Sequence, residues 1–374
     1  MKLIVVPLLI LLAVSCPCLA DTPPRYKMTV LPLTFQTFDS LNYAPTAGGG
    51  INNTGQITGE IMVRSGRLSN RRAAIWQKKH SVKLLDKTPV TTDIAEEDPS
   101  NRNYTFSTAI NAHGEVVGGN YLTFSGAYSG IESSAYIWTG GRVQEITKFP
   151  YDCNGIAFGI NDHGMVVGNY VYNKHMPTTD DPPPPPIAAG SHAFLVRGSR
   201  VIPLWSGIAR GISNYGWIVG TQSSGGYDRS RDKGVLWRSG HLTLFKMQPV
   251  AISESGEIAG NIPITEDDGR ACVWQQGRVT RLSKQMSHAY ALNNRQQVVG
   301  ELGSEAKPLP THAVLWQDGR TYDLNRCVPL PKGWVLNRAI GINDQGWIIG
   351  EGSVSKTLKG KPAVQFFTFL LTPR

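Results

Sequence analysis

GINDQGWIIG, residues 341–350, is one of seven versions of a single ten-residue phrase in this chain. The others are GINNTGQITG from Gly50, AINAHGEVVG from Ala109, GINDHGMVVG from Gly159, GISNYGWIVG from Gly211, AISESGEIAG from Ala251 and ALNNRQQVVG from Ala291. Self-similarity at a near-fixed period is the mark of a repeat architecture and outranks any reading of one site. In each copy a small residue and Ile or Leu end one strand, a polar residue opens a turn, Gly closes it, and a β-branched run leads to a second Gly. Asn and Ser suit the start of a turn because their side chains bond its backbone, and Gly supplies the positive φ. Each copy therefore reads as a β-hairpin. Asn52, Asn111, Asn161, Asn293 and Asn343 carry the amide, whereas Ser213 and Ser253 offer a hydroxyl. Gln296 alone stands where the others have the turn glycine, so that turn is expected to be strained.

A second motif alternates with the first. Ile75-Trp76, Ile137-Trp138, Leu195-Val196, Leu236-Trp237, Val273-Trp274 and Leu315-Trp316 each end an apolar strand, followed by a turn and a partner strand. A repeat thus contains four strands. Successive turn Asn or Ser positions lie 59, 50, 52, 40, 40 and 50 residues apart, about the length of a four-stranded propeller blade. The expected fold is an all-β, seven-bladed β-propeller of four-stranded blades. YKMTVLPLTF, residues 26–35, lacks a preceding Trp-type strand, and FFTFLL, residues 366–371, lacks a following partner. Joined in space, the two termini would close one blade and remove an exposed edge. A β-solenoid is the alternative, and it would not require complementary ends.

Alternation of a His-Ala-Phe-Leu type strand, seen at residues 192–195 and 312–315, with Ile-Asn-x-x-Gly-x-Val-Val-Gly resembles the HAF-type extracellular repeat proteins of bacteria. The resemblance covers nearly the whole chain after its first twenty residues. Departures are the missing His in several copies and Val196 and Leu371 in place of Trp. It implies an exported all-β repeat protein and carries no catalytic residues with it.

Residues 1–20 read as a signal peptide: Lys2, an apolar run and a small-residue cleavage site, Cys18-Leu19-Ala20. Residues 21–374 would then form one propeller domain, secreted or periplasmic, with no transmembrane span in the mature chain. A lipobox-like LAVSC at residues 12–16 gives the alternative of a lipoprotein anchored through Cys16. Loss of Lys2 takes the net charge from +9 to +8, which favours anionic surfaces such as an acidic polysaccharide. The densest basic group is Arg64, Arg67, Arg71, Arg72, Lys78 and Lys79, although the basic residues are otherwise scattered. Beyond the leader only Cys153, Cys272 and Cys327 remain, so at most one disulfide can form.

Chemistry is faintly written. No zinc-protease, nucleophile-elbow or phosphate-loop pattern occurs. His113 and His163 share a variable turn position, Asp162 and Asp344 sit in turns without the alternating carboxylates of a calcium loop, and Glu266, Asp267 and Asp268 read as a charged hairpin tip. Trp217 and Trp347 follow turn glycines and read as strand packing, or as ligand stacking if exposed. Length variation falls near residues 88–104, 170–190, 307–310 and 327–334, the second with the stiff run Pro182 to Pro186. No catalytic, metal or cofactor residue is assigned, and a monomer is expected. The expected role is a noncatalytic binding scaffold for an envelope protein or polysaccharide. The alternatives are a carbohydrate-active hydrolase or lyase with its site at the channel, and a lipid-anchored structural envelope protein. A His–carboxylate cluster or a carboxylate pair converging on the channel would favour the enzyme, and a featureless channel would favour the scaffold.

Overall fold

The computed structural model describes residues 23–374 apart from 32–35, 39–48, 66–67, 78–80, 86–101, 125–129, 148, 150–152, 173–189, 225–230, 265–268, 304–310 and 359–360. The leader, the proline run and the Glu266 to Asp268 tip therefore lie outside the described residues. Among the described residues all regular structure is β apart from short 3-10 turns such as Leu324–Arg326. The chain opens with β1 (Tyr26–Val30) and β2 (Gln36–Phe38), and the first repeat supplies β3 (Ile57–Ser65), β4 (Leu68–Trp76) and β5 (Val82–Leu84). The second supplies β6 (Arg102–Ile110), β7 (Val116–Phe124), β8 (Gly130–Thr139) and β9 (Arg142–Glu145). Then come β10 (Cys153–Ile160), β11 (Val166–Tyr172), β12 (Ser191–Arg197), β13 (Arg200–Ile212), β14 (Ile218–Gln222), β15 (Lys233–Arg238) and β16 (His241–Phe245). The fifth repeat is β17 (Gln248–Ile252), β18 (Ile258–Pro263), β19 (Gly269–Gln275) and β20 (Arg278–Arg281); the sixth is β21 (Ser287–Leu292), β22 (Val298–Leu302), β23 (His312–Gln317) and β24 (Arg320–Asp323). The last is β25 (Trp334–Ile342), β26 (Ile348–Leu358) and β27 (Lys361–Pro373).

All pairings are antiparallel, and the arrangement is a β-propeller. Seven separate four-stranded sheets do not form. The sheets contain five, seven, four, four, three and four strands, so five of them, not seven, have four or more. One reason is β13, which passes from one sheet into the next without a turn. Its first half pairs with β12, His192 opposite Ser206, and its second half with β14, Gly207 opposite Gln222. The change of sheet falls at Gly207, whose φ of 143° suits no side chain. The three-stranded sheet, β3–β5, is the first repeat, in which Ile51 makes an isolated bridge to Ile57.

The expected closure of the ends is present. Met28, Thr29 and Val30 pair with Leu371, Leu370 and Phe369, placing β1 on the outer edge of the β25–β27 sheet. Apolar clusters form between successive repeats rather than within one: Ala259 and Ala271 meet Ala289, Val298 and Val314, all essentially inaccessible. Ile349 and Leu370 of the last repeat pack with Ile57, Ala74 and Trp76 of the first, which carries the core around the full circle. Cys153, Cys272 and Cys327 are all free thiols.

The seven Asn or Ser turns adopt the expected chemistry. In the first, Gly55 N donates to Asn52 O at 3.1 Å, while Asn52 Oδ1 accepts from Thr54 N at 3.1 Å and Gln56 N at 2.9 Å. Gly55, Gly114, Gly164, Gly216, Gly256 and Gly346 have φ between 70° and 84°, and Gln296 is forced to 62°. The Asn amides also link neighbouring turns: Asn52 Nδ2 donates to Asn111 O, Asn111 to Asn161 O, Asn161 to Ser213 O, Asn293 to Asn343 O, and Asn343 back to Asn52 O. A second belt runs the other way, each backbone N–H capped by the next turn's side chain: Ala112 by Asp162, Asp162 by Asn214, Asn214 by Glu254, Glu254 by Asn294, Asn294 by Asp344 and Asp344 by Asn53. Turns this close together surround the axis, so the strands that enter them are the innermost.

Candidate functional site

One position carries the asymmetry of the ring. The residue after the second glycine of the phrase is Glu60, Gly119, Asn169, Thr221, Asn261, Glu301 and Glu351 in the seven copies. Glu occurs only in three repeats that are consecutive around the closed ring: the sixth, the seventh and the first. Elsewhere the residue serves structure, as where Asn261 exchanges two hydrogen bonds with the backbone of Ala289 in the next repeat.

The three carboxylates gather partners from several strands. Glu301 on β22 accepts from the Tyr290 hydroxyl at 2.8 Å and lies 3.4 Å from His288 Nδ1, both on β21. Glu351 on β26 pairs with Arg338 Nε of β25 at 2.8 Å. Glu60 on β3 lies 3.8 Å from Arg71 of β4. Arg338 also hydrogen-bonds Tyr290, joining the sixth and seventh repeats, and Glu351 acts electrostatically on Glu60, joining the seventh to the first.

Local strand irregularity brings these groups together. Six inner strands shift register three residues before the turn Asn or Ser, and Tyr290 is the displaced residue of its strand, between Ala289 and Ala291. The seventh repeat has an additional shift between Leu336 and Arg338. A bulge of this kind re-aims the adjoining side chains.

The electrostatics separate the acids. Burial pushes the Glu60 carboxyl up, Arg71 opposes this and Glu351 reinforces it, with a net rise to about 7. Burial also acts to raise Glu301, but hydrogen bonds from His288 and Tyr290, the Arg338 charge and Thr311 together hold it below the usual carboxylate range. Burial and the Glu301 charge drive the Tyr290 hydroxyl well upward, so it stays a proton donor. Arg338 is held firmly charged: burial works against this, but Glu351 and the neighbouring Tyr290 and Glu301 outweigh it. A carboxyl raised to about 7, Glu60, therefore shares a sector with one held low, Glu301. Such a set can hold a polar ligand by hydrogen bonds and can also move a proton.

The residues singled out from sequence fall elsewhere. Trp347 leans on Gly55 and Trp217 on Gly256, with Arg238 3.9 Å above the Trp217 ring, so both tryptophans pack between repeats. His113 and His163 are exposed turn residues whose backbone N–H groups are capped by Asn111 and Asn161. Asp162 and Asp344 belong to the belt between turns. Of the basic group, Arg71 enters the sector through Glu60, whereas Arg67, Lys78 and Lys79 are outside the described residues. Glu60, Glu301 and Glu351 had one signal in the sequence, the Glu that follows the phrase in three copies.

No protein-family model matches the chain, and no curated protein matches it either. Among solved structures it is similar to the acylaminoacyl peptidase of Pyrococcus horikoshii, with TM-score 0.50 and 10% identity over 87% of this chain and 52% of that one. Weaker likenesses are to the β-propeller domain of the Trilobed protease from Pyrococcus furiosus, TM-score 0.40, 9% identity, 78% of this chain and 95% of that one, and to Porphyromonas gingivalis dipeptidyl peptidase 4, TM-score 0.41, 11% identity, 83% and 51%. The chain spans about half the length of the Pyrococcus horikoshii peptidase. The likeness is one of fold.

Proposed function

We propose that this chain is an exported propeller that recognises a polar ligand, a saccharide chain in our reading, through the Glu60–Tyr290–Glu301–Arg338–Glu351 sector. What supports this is the convergence of ionisable side chains from three repeats on the innermost strands and their neighbours, where a plain scaffold needs only apolar packing. The His288–Glu301 pair and its neighbouring carboxyls are also the kind of cluster expected of an enzyme, so ligand binding and turnover are tested together. Calorimetric titration with neutral, acidic and basic oligosaccharides tests the proposal: binding is expected and should weaken at least tenfold in Glu301→Gln and in Tyr290→Phe. Failure of every saccharide to bind, or binding indifferent to both substitutions, rejects it.

A second reading is hydrolysis of the same ligand, supported by the divergence of Glu60 from Glu301. One carboxyl protonated near neutrality and one ionised is the division of labour that glycoside cleavage uses. New reducing ends released by the unaltered chain and not by Glu60→Gln would establish it. The peptidase likeness adds no substrate, because it concerns fold alone.

Export rests on the leader read in residues 1–20 and on the HAF-type resemblance. Among the described residues no helix is long and apolar enough to cross a membrane.

A further inference from the structure

The turn ring contains one buried carboxylate oxygen, Glu257 Oε2, with no hydrogen-bond donor among the described residues, and the other repeats show what it lacks. In three repeats the turn Asn sends Nδ2 to two acceptors at once, the side chain four residues on and the carbonyl of the next turn. Asn52 Nδ2 reaches Gln56 Oε1 at 2.8 Å and Asn111 O at 2.9 Å. Asn111 Nδ2 reaches Glu115 Oε2 at 2.7 Å and Asn161 O at 3.1 Å, and Asn293 Nδ2 reaches Gln297 Oε1 at 2.7 Å and Asn343 O at 2.8 Å. The fifth repeat keeps both kinds of acceptor, Glu257 and Asn293 O, but replaces the amide by Ser253.

The shorter side chain cannot fill that role. Ser253 Oγ accepts from Glu257 N at 3.1 Å and bonds Ser255 Oγ at 2.9 Å. Glu257 is only 4% exposed, and its Oε2 has no hydrogen-bond partner among the described residues. Burial pushes this carboxyl up, as expected where no positive charge answers it. Glu115, by contrast, receives the Asn111 amide directly. A buried carboxylate oxygen without a partner is costly enough to require an explanation.

We infer that the position taken by an amide nitrogen in the other repeats is, in the fifth, a site for a hard cation held by Glu257 Oε2, the Asn293 carbonyl and Ser253 Oγ. The donors are all oxygen, which suits sodium, potassium or calcium and not a soft metal. A single carboxylate among neutral oxygens balances one positive charge, so a monovalent ion fits best. The ion would replace the link between the fifth and sixth turns, one of the two places where a Ser turn interrupts the inner ring of amide bonds. This site is independent of the charged sector on the other strands and of any ligand there.

Two substitutions that copy the protein's own repeats test the inference: Ser253→Asn restores the amide of five other turns, and Glu257→Gln restores the residue of the first and sixth. Thermal melts of the full chain would be recorded in sodium, potassium or calcium chloride, with tetramethylammonium chloride holding ionic strength constant. The unaltered chain should melt higher as one of these cations is added, and the effect should saturate. Both variants should require at least tenfold more cation for half the effect, and Ser253→Asn should be the more stable chain in tetramethylammonium alone. A melt of the unaltered chain that ignores all three cations overturns the inference, leaving a proton or a water as the partner of Glu257. A response that survives in Ser253→Asn overturns it as well.

Discussion

Replacing Asn161 by Ala and by Ser separates what the turn amide does within its own repeat from what it does between repeats. Asn161 is 3% exposed; its Oδ1 accepts from His163 N at 3.1 Å and Met165 N at 2.9 Å, and its Nδ2 donates to Ser213 O at 3.0 Å. Each such bond is worth about 1 kcal/mol net, and its loss leaves polar backbone in a buried setting, so Asn161→Ala should cost about 3 kcal/mol. Ser keeps part of this. At the protein's own Ser turns the hydroxyl accepts from Trp217 N at 3.3 Å and from Glu257 N at 3.1 Å. Asn161→Ser should therefore cost about 2 kcal/mol, having lost the bond to the next turn and one of two caps. Equilibrium urea unfolding followed by tryptophan fluorescence measures both. If Ser proves as costly as Ala, the hydroxyl does not cap and the reading of the Ser turns is wrong. If Ala costs under about 0.5 kcal/mol, the ring of amides contributes nothing to stability.

Three further outcomes follow from the same geometry. Gln296→Gly should stabilise by about 1 kcal/mol, because φ of 62° strains any side chain but not glycine; a lower urea midpoint would contradict this. Ala112 is the one residue at its turn position without a side-chain oxygen, so Ala112→Asp should extend the outer belt to Asn53 N and raise stability by about 0.5–1 kcal/mol, read in the same titration. Glu60 binds its proton more tightly folded than unfolded, so the native state holds the extra proton between 4.5 and about 7, and stability should fall as pH rises through that window. The span corresponds to about 3 kcal/mol at most; Glu60→Gln should flatten the profile, and a slope unchanged in that variant would remove Glu60 as its source.

The turn phrase carries its own physics, and this is why so much of the fold was readable from residues alone. Asn or Ser, then Gly, between β-branched runs is a local arrangement, and every copy makes its hairpin without reference to its neighbours. The strained Gln296, the Trp-type strands and the complementary ends followed from the same bookkeeping of strands and turns. Where the reading failed, the cause lay between repeats. Nothing in residues 200–212 says that one strand will serve two sheets, since that depends on the chain bending at Gly207 to reach the next repeat. Trp217 and Trp347 carry no sign that each will cover a glycine of the following turn. Glu60 and Glu351 are 291 positions apart in the sequence, and only the pairing of β1 with β27 and the packing of the last repeat on the first make them neighbours. Local dihedral preference thus dictates the unit, while the burial of each unit's faces against the next selects which polar side chains meet.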